Sequence, residues 1–131
     1  MNQDAEDLDD GVKKLIGKTI SHVWVDMNDG ELEFHLSTNN VLHIWHQHQC
    51  SECVYLADIA GIDSLNQLEG ETVLDAYVSY SDGGPVEDED HNDSQWTFLV
   101  LRTNNYTVTF RWYGSSNGYY SMCPDTFIWK E

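Results

Sequence analysis

The sequence predicts an α+β domain made mostly of antiparallel β-sheet. Three observations predict it. Short runs rich in β-branched and aromatic residues recur along the chain, Asn- and Gly-containing turn signals separate them, and only two stretches carry helix-start and helix-stop chemistry. The expected architecture is a single domain over residues 1–131, built on one curved antiparallel sheet of two β-meanders. A short N-terminal helix and one short connecting helix complete it.

The elements follow in order. From Asp9 to Gly17 a helix is expected: Asp9 or Asp10 caps it, Val12, Leu15 and Ile16 form an apolar stripe, and Gly17 suits the residue after the last turn. Three strands come next, Thr19 to Asp26, Glu31 to Ser37 and Val41 to His48, separated by Asn28-Asp29-Gly30 and Asn39-Asn40. In the middle one Leu32, Phe34 and Leu36 alternate with Glu31, Glu33 and His35, the period of a sheet with one wet face. After Val54-Tyr55-Leu56 the pattern loosens. Ser64 and Gln67 then have capping-box spacing, with Gly70 as a stop. Thr72 to Tyr80 reads as a strand, and residues 82–94 as a mobile acidic loop. Trp96 to Thr103, Tyr106 to Tyr113 and Tyr119 to Cys123 form the second meander, with turns at Asn104-Asn105 and Ser116-Asn117-Gly118. Residues 1–8 read as a flexible acidic tail.

Charge restricts the partners. There are 23 acidic residues against 6 basic ones in 131 positions, a net charge of −17 with His neutral. The cations Lys13, Lys14, Lys18, Arg102, Arg111 and Lys130 are scattered, so no basic face exists to neutralise phosphates, and direct nucleic-acid binding is disfavoured. No run of about 18 apolar residues is present, and the N-terminus lacks a secretory pattern. Three cysteines without such a pattern point to reduced thiols, and the expected location is the cytosol.

The strings His46-x-His48-x-Cys50-x-Glu52-x-Val54-Tyr55-x-x-Asp58-Ile59-x-Gly61 and Val108-Thr109-Phe110-Arg111-Trp112-Tyr113-Gly114-Ser115-Ser116-Asn117-Gly118-Tyr119-Tyr120-Ser121 carry a family resemblance, together with Trp96-Thr97-Phe98. The chain resembles a family of small, uncharacterised proteins found mostly in tailed-phage and prophage genomes, a domain of unknown function. The likeness spans roughly Gly17 to Ser121. It implies a viral or prophage origin and a host bacterial cytosol, and it supplies no mechanism. Family members tend to have adjacent cysteines where this chain has Cys50-Ser51, and Gln in place of His48.

Two constellations carry chemistry. His46, His48, Cys50 and Cys53 are four residues of zinc-ligand type within one short stretch. Two readings stay open for them: a tetrahedral zinc site, or histidines continuing the Leu42 and Ile44 face with both cysteines as small buried hydrophobes. A cysteine nucleophile is disfavoured, because surrounding carboxylates repel a thiolate and raise its pKa. In the acidic stretch Asp88, Asp90 and Asn92 mimic the first EF-hand positions, but the turn glycine and the closing bidentate glutamate are missing.

The second constellation is a candidate binding surface. It consists of the acids Glu87, Asp88, Glu89, Asp90 and Asp93 with the aromatics Trp112, Tyr113, Tyr119 and Tyr120. The competing reading is cross-strand aromatic packing with Arg111 lying over a ring. The sequence therefore predicts a non-enzymatic binding protein, without a required cofactor, that engages the basic groove of a host protein as a nucleic-acid mimic would. A small zinc-binding domain or a virion or morphogenesis component are the alternatives.

Overall fold

The computed structural model describes residues 8–45, 52–82, 93–116 and 125–130. Helix α1 (Leu8–Lys13) is followed by strands β1 (Ile20–Asp26), β2 (Glu31–Leu36), β3 (Asn40–Trp45) and β4 (Glu52–Ala60). A 3-10 turn at Leu65–Leu68 leads to β5 (Asp75–Asp82), β6 (Asp93–Arg102), β7 (Thr107–Ser116) and β8 (Asp125–Lys130). The strands form two four-stranded sheets, ordered β1-β2-β3-β8 and β4-β7-β6-β5, and every pairing is antiparallel.

The strongly periodic elements form where the sequence places them. In β2 Leu32, Phe34 and Leu36 are buried while Glu31, Glu33 and His35 are half-exposed. At the 3-10 turn the Ser64 hydroxyl accepts from Asn66 N–H at 3.3 Å and the Gln67 amide oxygen accepts from Ser64 N–H at 3.0 Å, the expected capping box. Gly17 has φ +84°, the left-handed geometry of a helix stop.

The described residues differ from these expectations in four places. The single curved sheet is two sheets, because β3 continues into β8 and β4 into β7, strands distant in sequence. The meander of the second sheet is β5-β6-β7; the expected strand Tyr119 to Cys123 lies outside the described residues. Leu8 is no part of a flexible tail, since it opens α1 and is 3% exposed. The ends of the expected 82–94 loop also belong to strands, with Asp82 pairing Gln95 and Asp93 pairing Ser116. Residues 83–92 lie outside the described set.

One core lies between the sheets. Leu32, Phe34, Leu42 and Ile44 of the first sheet and Leu99, Leu101, Phe110 and Trp112 of the second are all fully buried. Phe34 meets Phe110 edge-on, with ring centroids 5.7 Å apart. Trp112 Nε1–H donates to the Gly30 carbonyl at 2.8 Å, tying β7 to the β1–β2 turn. Along one border Leu56 N–H donates to Met27 O at 3.0 Å; along the other, α1 packs against β3, β5 and β8. Residues 17–20 and 70–73 exchange backbone hydrogen bonds, which covers the start of β1. The Glu71 carboxylate accepts from Thr103 Oγ1 at 2.7 Å and from Asn105 Nδ2, bonds that hold its pKa below the usual carboxylate range. No described helix is long and apolar enough to cross a membrane.

Candidate functional site

The site follows from strand parity. In β6 and β7 the residues Thr97, Leu99, Leu101, Val108, Phe110 and Trp112 face the core, so their neighbours occupy the outer face of the second sheet. Register sets Tyr55 beside Tyr113 and Tyr113 beside Trp96, an aromatic row across three strands. Trp96 and Tyr113 meet edge-on at 5.0 Å between centroids, and Tyr55 and Tyr113 lie 5.8 Å apart. The next row is Asp58, Arg111 and Phe98. Its Phe98 ring stacks with Trp96 at 6.5 Å.

Arg111 is held at the centre. Its Nε–H donates to Asp58 Oδ1 at 2.6 Å and its Nη2 to Asp58 Oδ2, a two-pronged fork. Its guanidinium carbon lies 5.4 Å from the centre of the Trp96 ring. The hydrogen bond from Arg111 holds the Asp58 carboxyl below the usual carboxylate range, and the same bond raises the arginine. Both side chains are well exposed, at 44% and 42%. The pair therefore orients side chains on the face more than it stabilises the fold. The expectation that Arg111 lies over a ring holds.

Trp112, expected on the binding surface, is corrected. It is fully buried, because it precedes Tyr113 by one residue and successive strand residues point to opposite faces. Tyr113 is on the outer face. Cys53 lies in β4, where its backbone pairs with Ser115, and Asp93 opens β6. His46, His48, Cys50, Glu87, Asp88, Glu89, Asp90, Tyr119 and Tyr120 lie outside the described residues. Among the described residues, no group of three or more His, Cys, Asp or Glu side chains is placed to hold a metal ion. Sequence reasoning missed Tyr55, Trp96 and Phe98 as surface residues, although alternation through Trp96-Thr97-Phe98 is a signal that marks them.

The outer face of the first sheet pairs histidines with carboxylates. His35 Nε2 lies 2.9 Å from Glu33 Oε1, His22 Nδ1 lies 3.3 Å from Glu69 Oε2, and His43 Nε2 lies 3.8 Å from Glu31 Oε1. Burial pushes the His43 pKa down, against the opposing pull of Glu31 and Glu33. At the end of this face Asp26 stands opposite Glu31 in register, a like-charge pair of the kind that costs sheet stability. Asp26 Oδ1 also accepts from the Asp29 N–H at 3.2 Å, so the β1–β2 turn is a small acidic knob. The Met27 to Leu56 bond holds that turn against the edge of β4.

Two hollows in the surface have volumes of about 110 and 300 Å³, at or below the lower end for small-molecule sites. The sheet faces are broader. These features define a class: a two-sheet antiparallel β domain that displays aromatic and charged side chains on open faces. The chain belongs to the family described as Domain of unknown function (DUF7448), which matches residues 13–126. No curated protein and no solved structure matches it.

Proposed function

We propose that this protein is a non-enzymatic binding protein that engages a basic surface of a partner protein. The observation that carries the reading is the charge together with how the few cations are spent. Against a net −17, Arg111 is committed to Asp58 and Lys13 to Asp9 at 3.4 Å, while Asp26 and Glu31 face each other. A cationic partner relieves that repulsion, and the long-range field speeds its approach. The likeness to tailed-phage and prophage proteins directs the search to a host bacterial cytosol. There a groove that normally holds nucleic acid is an extended basic surface of the kind this charge suits.

The test is affinity capture from bacterial lysate across a salt series, with duplex DNA as competitor. The expected result is a nucleic-acid-binding protein whose capture weakens as ionic strength rises and which DNA displaces. Capture that is indifferent to both salt and DNA refutes the reading.

A further inference from the structure

We propose that His22 and His35, opposed on the outer face of the first sheet, bind one divalent transition-metal ion of the zinc and copper class through one ring nitrogen each. The site is independent of the basic-partner reading and uses none of His46, His48, Cys50 and Cys53. Local structure builds the pair. Ile20 and Val23 both face the core, which unbroken alternation along β1 does not allow. The register shifts between them: Ile20 pairs with Leu36 and His22 with His35, leaving Ser21 as the extra residue of a bulge. The bulge turns His22 to the outer face, directly opposite His35. Ser21 Oγ–H donates to the His35 carbonyl at 2.9 Å, which pins the bulge to β2.

The geometry fits a shared ion. The two ring centroids lie 5.7 Å apart, with the planes tilted by 58°. An ion bonded to one nitrogen of each of two imidazoles at about 2.0–2.1 Å and a tetrahedral angle holds their centroids about 5 Å apart. The pair is within a small side-chain adjustment of that separation. Each ring also meets a carboxylate: Glu69 Oε2 lies 3.3 Å from His22 Nδ1, and Glu33 Oε1 lies 2.9 Å from His35 Nε2. An ionised carboxylate only accepts, so it favours the tautomer with the hydrogen on the nitrogen facing it and the electron pair on the other. Metal-ligating histidines are oriented and made more basic in this way. The backbone delivers Glu69, because Gly70 N–H donates to Ile20 O at 2.7 Å and holds the end of the 3-10 turn against the start of β1.

Charge and ligand type select the ion. A net charge of −17 concentrates cations at the surface, and imidazole nitrogens prefer zinc, copper or nickel over the oxygen-seeking magnesium and calcium. Among the described residues no third His, Cys, Asp or Glu side chain joins the pair as a ligand, so water completes the coordination. The His22 side chain is 56% exposed and that of His35 22%, an open approach onto a more fixed inner ligand.

The experiment titrates the full, untagged chain with zinc chloride, read by NMR of the histidine ring nitrogens and by calorimetry. The His22 and His35 ring signals are expected to shift together and to saturate at one zinc per chain. His22→Gln removes a ligand at an exposed position and abolishes the joint shift, while the metal-free melting curve is unchanged. Glu69→Gln keeps both ligands and weakens binding about ten-fold by releasing the His22 ring. Cys53→Ser leaves the two ring shifts intact. Ring signals that stay still at a several-fold excess of zinc overturn the proposal. Zinc binding that survives His22→Gln and is lost in Cys53→Ser overturns it too, since the ion then belongs to the His46 to Cys53 stretch.

Discussion

The Asp58 carboxylate accepts the Arg111 Nε–H at 2.6 Å across two strands whose simple alternation would have kept them apart. Tyr55 lies on the outer face and Leu56 is buried, so an unbroken β4 would turn Asp58 toward the core. Register shifts between Leu56 and Asp58: Leu56 pairs with Trp112 and Asp58 with Arg111, leaving Ala57 as the extra residue of a bulge. The bulge returns Asp58 to the outer face. The ion pair beside the aromatic row is thus the product of one irregularity.

The first prediction concerns that pair. Because the hydrogen bond from Arg111 depresses the Asp58 pKa, its stabilising contribution is present above the ordinary carboxylate value and is lost as pH falls through the lowered one. In a carboxyl-detected NMR titration Arg111→Gln is expected to raise the Asp58 midpoint toward the ordinary range. An identical midpoint in both proteins sinks the assignment.

Trp112 supplies the second. Its Nε1–H satisfies the Gly30 carbonyl in the core. Trp112→Phe keeps an aromatic ring but leaves that carbonyl unpaired and removes packing volume, so unfolding free energy is expected to fall by about 1–3 kcal/mol in denaturant titrations. A loss well below about 1 kcal/mol means that water or another donor replaces the indole.

What the sequence reveals and hides follows from the range of the signal. The Leu32–Phe34–Leu36 alternation and the Ser64–Gln67 capping box are local patterns, and both form as read. Strand β4 runs on to Ala60 although its pattern loosens after Leu56, because the bulge at Ala57 breaks the period. The pairing of β3 with β8 joins Asn40 to Lys130, a long-range choice that no window of sequence contains, and one sheet was expected where two form. The face that Trp112 occupies is legible in the sequence. Adjacent strand residues cannot share a face, so Trp112 and Tyr113 were never one surface.

Gly61 gives the third prediction. Its φ of +104° lies where only glycine is at ease, and an added Cβ would sit 2.0 Å from the Thr107 carbonyl oxygen, a backbone atom that cannot step aside cheaply. The residue ends β4 against the start of β7, which explains physically why a glycine stands there. Gly61→Ala is expected to cost about 2 kcal/mol or more in thermal or chemical unfolding. A melting curve that superposes on wild type removes the argument.

The fourth prediction is a pH dependence carried by His43. Desolvation lowers its pKa below the ordinary histidine value of about 6.5, with Glu31 at 3.8 Å and the nearby Glu33 opposing, and the Trp45 ring stacked 5.6 Å away. Above the ordinary value His43 is neutral in both folded and unfolded chains and contributes no pH dependence. As pH falls below it, the unfolded chain takes up a proton that the folded chain resists, so stability drops with a slope of at most ~1.4 kcal/mol per pH unit for one proton. The other histidines and the 23 acids titrate in the same experiment, but they do so in both wild type and His43→Gln. The difference between the two proteins isolates the site: unfolding free energies measured from neutral pH to about pH 5 should fall further in wild type than in His43→Gln, bracketing the ordinary histidine value. A difference that is flat across that interval would show that the His43 ring is no harder to protonate in the folded sheet than in the unfolded chain.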